Sequence, residues 1–149
     1  MQLRDKFLWY AAHLDNLVED GQKIVKIDED SVSSALALQP SMLLEWLNLE
    51  SIALYEHRKA ERSLEEILIP EARSLLRTQL QQKGESHSES RLDKEVYLVP
   101  IVSQGAREVA DLEYIVSLFK NVRLALQAKK DNLNALNAKQ CVEIKSSSQ

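Results

Sequence analysis

Apolar residues recur along this chain in helical rhythm rather than in alternation. Leu3, Phe7, Tyr10, Leu14 and Leu17 follow one another at spacings of three and four, which predicts a first helix from Leu3 to Asp20. "EDGQ" comes next, and Gly21 stands where a helix would end on a left-handed residue. "KIVKID" alternates and is β-branched, so a short extended piece is expected. Asp28, Asp30 or Ser31 would cap a helix from about Ser31 to Ala37. Pro40 and Ser41 would then restart the chain, because proline is tolerated in a first helical turn.

From Ser41 to about Gln82 the sequence reads as one long helix. Its most regular stripe is Trp46, Ala53, Ala60 and Ile67 at seven-residue spacing, joined by His57 and Leu64. The stripe is narrow and rich in small residues, so it buries little area at about 25 cal/mol per Å². Pro70 predicts a kink or break near Ile69, since it lacks a donor and crowds the preceding turn. The polar connector "QQKGESHSES" follows, and Ser88 or Ser90 would cap a short helix, "RLDKEVYLV", ending at Pro100. A last long helix is predicted from about Gly105 to Lys139. Its seam is Leu112, Ile115, Phe119, Val122, Leu126, Lys129, Leu133 and Leu136 in strict 3-4 alternation, with one lysine among apolar residues. The polar tail "VEIKSSSQ" is expected to fray.

These elements predict an all-α fold. A small N-terminal helical cap (residues 1–40) would precede a long antiparallel helical hairpin (41–139, polar connector 81–90) and a flexible tail (140–149). Two paired helices bury little by themselves. The chain is therefore expected to oligomerise through coiled-coil-like packing, with Leu112, Ile115, Phe119, Val122, Leu126, Leu133 and Leu136 as the seam between copies.

Composition sharpens this picture. The 149 residues include only three Gly and three Pro, which fits few turns and long elements. With two Phe, two Trp and four Tyr, a thick aromatic core is not expected. The single cysteine, Cys141, has no internal partner, so nothing indicates an oxidising compartment. The first residues, "MQLRDKFLWYAAHLDNL", contain acids and no apolar run of signal-peptide length. The apolar runs are too short to cross a bilayer. A cytoplasmic protein, in a bacterial host if phage-encoded, is the expectation.

Candidate chemistry is sparse. His13, His57 and His87 lie far apart and have no ligand-spaced partners, and metal, calcium and phosphate-loop motifs are absent. Cys141 has no basic helix terminus to activate it. His57 is more readily a packing or surface histidine than a base. The chain reads as a non-enzyme without a cofactor or metal.

Cations carry the remaining signal. The net charge of −4 argues against a broadly basic nucleic-acid protein but allows local basic faces. "YEHRKAERSLEE" is highly charged and free of Gly and Pro. Within it Arg58, Lys59 and Arg62 lie on neighbouring helical positions, interleaved with Glu61, Glu65 and Glu66. A solvated face laced by i,i+4 pairs is the plain reading. Arg73 and Arg77 project together at i,i+4, with no acid between them or in the next two turns. The last helix ends with Lys120, Arg123, Lys129, Lys130 and Lys139 against Asp131 alone. In an antiparallel pair this basic end and "HRKAER" would fall at comparable heights. Repeated around a ring of subunits, such a patch would follow a phosphate backbone without reading sequence. Tyr55 and Tyr97 are the candidates for stacking bases.

The layout resembles the UvsY-like recombination mediators of tailed phages. The resemblance rests on "KIVKID", the Asp-capped stretch leading to Pro40, and Trp46 in "LLEWLNLESIALYEHRKAE". It continues through the polar loop before "SRLDKEVYLVP" and the helix "EVADLEYIVSLFKNVRLALQAKKDNLNAL", and covers roughly Leu14 to Leu136. It implies a non-enzymatic, ring-forming homo-oligomer that binds single-stranded DNA. Such a protein helps a RecA-type recombinase displace single-strand-binding protein. The positions matching the family's DNA-contacting segment are Arg73 and Arg77, with Arg58, Lys59 and Arg62 upstream; Lys129 and Lys130 complete the candidate cations. The alternative class is a coiled-coil structural protein or assembly chaperone of a phage, with no nucleic-acid role. On that reading every one of these charges is a solvated face.

Overall fold

A computed structural model describes residues 2–85 and 88–147. Among them no strand occurs, and every regular element is a helix or a helical turn. The chain is all-α. No helix among the described residues is long and apolar enough to cross a membrane. The chain forms two compact units: one from the described residues of Met1–Ala53 and Ile115–Gln149, the other spanning Leu54–Tyr114. These bounds differ from the division at residue 40 expected from the sequence.

The first unit opens with α1 (Leu3–Ala12) and α2 (Leu14–Val25), where the sequence predicts one helix. His13 separates them at φ −135° and ψ 67°. Its ring Nδ1 bonds the Trp9 carbonyl at 2.8 Å and stacks on the indole at 4.7 Å, while its backbone N–H donates to Tyr10. The side chain thus takes the carbonyl that helical continuation would have used. Gly21 is a second correction. It ends nothing: it is buried inside α2, where a Cβ would stand 2.6 Å from Val122 Cγ2. The glycine is there for the close approach of α2 to the last helix. Helix α2 therefore takes in the first half of "KIVKID", and the extended piece is confined to residues 26–28.

Asp28 accepts from the Asp30 N–H and caps a 3₁₀ turn, Glu29–Ser31, which leads into α3 (Val32–Ser63). Helix α3 runs straight through Pro40, so the chain does not restart there. Pro40 is exposed, the side on which a helix hydrates a carbonyl freed by proline.

The last helix, α6 (Pro100–Ser147), begins earlier and ends later than predicted. The stretch 140–147, expected as a flexible tail, continues it; residues 148–149 lie outside the described set. Within this unit the bonds joining α3 and the turn before it to α6 run in opposite order along the chain. Glu29 pairs with Gln140, Gln39 with Leu126 and Glu50 with Arg123. Where a thin core was expected, the few aromatics gather. The rings of Phe7, Tyr10, Trp46 and Phe119 lie 5.6–6.1 Å apart in four tilted or edge-on pairs. Leu17, Leu49, Leu126 and Leu133 extend this core and are wholly buried.

The second unit holds the end of α3, a π-helical turn at Leu64–Leu68, α4 (Ile69–Gln82), α5 (Glu89–Glu95) and the start of α6. Pro70 causes the π turn. In a regular helix its ring would strike the Glu66 carbonyl and its ladder bond would be missing. The chain widens by one residue instead, and the Ile69 N–H bonds Leu64 O. The kink or break expected near Ile69 takes the form of a π bulge in a helix that goes on. That extra residue shifts the buried face. Ile67, next in the seven-residue rhythm, is half exposed, whereas Leu64, Leu68, Ala72 and Leu76 turn inward. They meet Val96, Val99, Val102, Ala106 and Val109 in a purely aliphatic core.

Helix α4 ends in a Schellman motif. Gly84 (φ 68°) supplies the left-handed residue, Glu85 N–H bonds Leu80 O, and Gly84 N–H bonds Gln81 O. Ser88 caps α5 by accepting from the Arg91 N–H at 3.1 Å. Ser86 and His87, in the predicted connector, lie outside the described residues.

Candidate nucleic-acid interface

The predicted cations meet three different fates. Arg58, Lys59 and Arg62 project from the last two turns of α3 and are exposed. Among the described residues no ion pair within 4 Å holds them; the nearby Glu61 lies 4.0 Å from His57 instead. Tyr55 stands one turn earlier and is 60% exposed. Positions 55, 58, 59 and 62 follow the i, i+3, i+4, i+7 spacing of one helical face, about 10 Å long at 1.5 Å per residue. The face carries an aromatic ring at one end and three cations beyond it.

Arg73 and Arg77 behave otherwise. The sequence presents them as poorly neutralised, yet α5 brings acids to them from 12 to 20 residues away. Arg73 donates one guanidinium N–H to Asp93 and another to Glu89, and Arg77 donates to the second oxygen of Glu89 at 3.1 Å. The Glu89 pairing raises the pKa of Arg73 further, and Arg73 in turn lowers that of Glu89. Sequence reasoning missed these partners. The available signal was the i,i+4 spacing of Glu89 and Asp93, which puts both acids on one face of α5.

Lys129 is the clearest correction among the cations. It is 8% exposed, and its Nζ donates to Ile24 O at 2.6 Å, in the last turn of α2. Burial lowers its pKa, and a phosphate has no access to it. Its place in the heptad seam, between Leu126 and Leu133, already marked it as an inward position. Arg123 is likewise engaged, by both oxygens of Glu50 on α3. Lys120, Lys130 and Lys139 remain exposed in the first unit. They belong to a different compact unit from Arg58, Lys59 and Arg62.

The oligomerisation seam is also corrected. Ile115, Phe119, Leu126 and Leu133 are buried inside the single chain. Phe119 packs on Phe7, Tyr10 and Trp46, and Val122 faces Gly21. Leu112 and Leu136 are half-buried. The chain supplies its own cover for the seam, because α1 and α2 fold onto it. Two polar groups share that interior. The Tyr10 hydroxyl donates to Asp20 at 2.8 Å, and burial, then Asp20, pushes its pKa up. Gln39 donates from Nε2 to Leu126 O at 2.7 Å, while its Oε1 finds no protein partner.

Among the described residues no group of three or more His, Cys, Asp and Glu is placed to hold a metal ion. Cys141 is exposed, and Tyr97 is half exposed on the 3₁₀ turn after α5. No family model matches the chain, and no curated protein or solved structure is similar to it.

Proposed function

We propose that this chain binds single-stranded DNA through its phosphate backbone and acts as a recombination mediator. In that role it helps a RecA-type recombinase take the place of single-strand-binding protein. The observation that carries the reading is the exposed face of Tyr55, Arg58, Lys59 and Arg62, whose three cations have no acidic partner within 4 Å among the described residues. Cations free of intramolecular partners release counterions from a polyanion without first breaking a bond of their own. An aromatic ring on the same face adds sequence-tolerant stacking. The layout shared with phage mediators supports the recombinase-loading role. Ring assembly would repeat the face and sum its weak contacts.

The test is titration of fluorescent oligo(dT) and oligo(dA) against salt. Replacing Arg58, Lys59 and Arg62 together by alanine weakens binding to both oligonucleotides alike. It also flattens the log–log salt slope by about 2, at roughly 0.7 per phosphate contact on single strands. A folded triple variant that binds as the parent does would remove this face from the reading. A parent chain that ignores both oligonucleotides at low salt would remove the reading itself and favour the structural or assembly-chaperone alternative.

A further inference from the structure

Arg73 and Arg77 sit together one turn apart on α4, yet every described bond they make from the guanidinium goes to α5. Three features set this pairing apart from an ordinary ion pair. The first is geometry. Two carboxylates occupy three N–H groups of adjacent arginines, the arrangement in which guanidinium forks take phosphate oxygens. The second is exposure. Glu89 and Asp93 are 68% and 60% exposed, while Arg73 beneath them is 28% exposed. The arginine is set in the surface and the acids lie over it. The third is anchoring. Helix α5 and the 3₁₀ turn after it (Val96–Leu98) are anchored by Leu92 and Val96, both buried. The two carboxylates are therefore free to swing away by side-chain rotation while the helix stays docked. The Glu50–Arg123 pair of the first unit differs on each count, being 9% and 19% exposed and enclosed by α3 and α6.

We propose that Glu89 and Asp93 are a built-in competitor for the DNA backbone: they hold Arg73 and Arg77 until a phosphate chain displaces them. Exposed ion pairs are individually weak and screened by salt. A polyanion already held elsewhere on the chain presents its next phosphates at high effective concentration and gains counterion release for each contact. Two carboxylates lose that exchange to a strand, but they resist isolated phosphate ions. Arg73 and Arg77 then add to the grip only after Arg58, Lys59 and Arg62 have engaged, so the device selects long polyanions over short ones. This inference rests on the reading of the chain as a single-stranded-DNA binder.

The experiment uses the full chain and oligo(dT) of two lengths. Glu89→Gln with Asp93→Asn raises affinity for the long oligonucleotide at least fivefold and steepens the salt slope by about 1.4, two contacts at roughly 0.7 each. Glu89→Gln alone gives an intermediate gain, which guards against misfolding of the double variant. Asp5→Asn with Asp111→Asn removes the same charge elsewhere and gives less than a twofold gain. Arg73→Gln with Arg77→Gln weakens the parent's binding to the long oligonucleotide more than to the short one, and abolishes the gain in the Glu89→Gln, Asp93→Asn background. Equal gains in the two charge-removal variants, or a gain that survives loss of both arginines, would overturn the competitor. If the Arg58, Lys59 and Arg62 variant still loses binding in that case, the DNA-binding reading stands without it. If no variant binds either oligonucleotide, both fail.

Discussion

The two compact units close their helices by different means. The unit containing α1 and α2 holds both tryptophans and both phenylalanines of the chain, and all four rings join Tyr10 in one network. Three of its polar contacts are enclosed, Glu50 with Arg123, Lys129 with the end of α2 and Gln39 with Leu126, while Lys23–Glu19 and Gln140–Glu29 lie at its surface. The Leu54–Tyr114 unit contains neither Phe nor Trp. Its core is Leu, Ile, Val and Ala, and the ion pairs that join α4 to α5 lie at the surface. Buried area and enclosed polar bonds fix the first unit, whereas exchangeable charges decorate the second. The proposed exchange with a polyanion would suit the second kind of surface, where breaking a pair exposes no unsatisfied buried group.

Phe119→Ala tests this contrast most severely. Phe119 is wholly buried and touches three other rings. Its truncation is expected to cost about 3–5 kcal/mol. Tryptophan fluorescence reports the first unit alone, because Trp9 and Trp46 both lie there. Denaturant unfolding followed by fluorescence should shift strongly. Amide exchange in α5 should change little if the units are separately stabilised, and a uniform loss of protection would show that they unfold as one.

Legibility in the sequence followed the same divide. The 3-4 seam from Ile115 to Leu133 was readable because helical periodicity reports which face is buried. Periodicity does not report what covers that face, so the seam was assigned to a second copy when α1 and α2 were the cover. Gly21 was read as a helix end since glycine often stands there. Its actual constraint is the nearness of Val122, 101 residues away, and no local window contains that residue. Pro70 was read correctly as a disturbance, but a break and a π turn follow from the same missing donor. At the candidate interface, Arg58, Lys59 and Arg62 were judged from local neighbours; Glu108 of α6 lines a cavity with Lys59, but no described acid comes within 4 Å of the three cations. Arg73 and Arg77 were judged in the same way, and α5 supplied their acids from beyond the connector.

The enclosed ion pair gives a second and smaller effect. Glu50→Gln leaves the Arg123 guanidinium against a neutral amide in a nearly closed site, which should cost about 2 kcal/mol. Replacing both residues by leucine should recover most of that loss, because the pair's attraction is largely offset by its desolvation. Chemical denaturation of Glu50→Leu, Arg123→Leu and the double variant completes a thermodynamic cycle. A strictly additive result would mean that the two side chains do not act on each other. On this account Glu89→Gln, at the exposed clamp, leaves the midpoint of unfolding unchanged.

The finest comparison is between two buried glycines, one in each unit. A Cβ on Gly21 would stand 2.6 Å from Val122 Cγ2. Valine is stiff in a helix, with one strongly preferred rotamer, so the methyl group has nowhere to turn. A Cβ on Gly105 would meet Leu68 Cδ1 at 2.8 Å and Leu64 Cδ1 at 3.2 Å. Those are the far ends of flexible side chains, on a π turn whose backbone has already departed from regular spacing. Both substitutions gain up to about 1 kcal/mol of helix propensity. Overpacking costs about 1–3 kcal/mol where the neighbour cannot yield. Gly21→Ala should therefore be net destabilising by about 1 kcal/mol, and Gly105→Ala close to neutral. Thermal melts of both variants check the difference, and Val122→Ala should turn the Gly21→Ala change from harmful to favourable by opening the space its Cβ needs. Equal losses at the two glycines would mean that the aliphatic unit is as rigidly packed as the aromatic one.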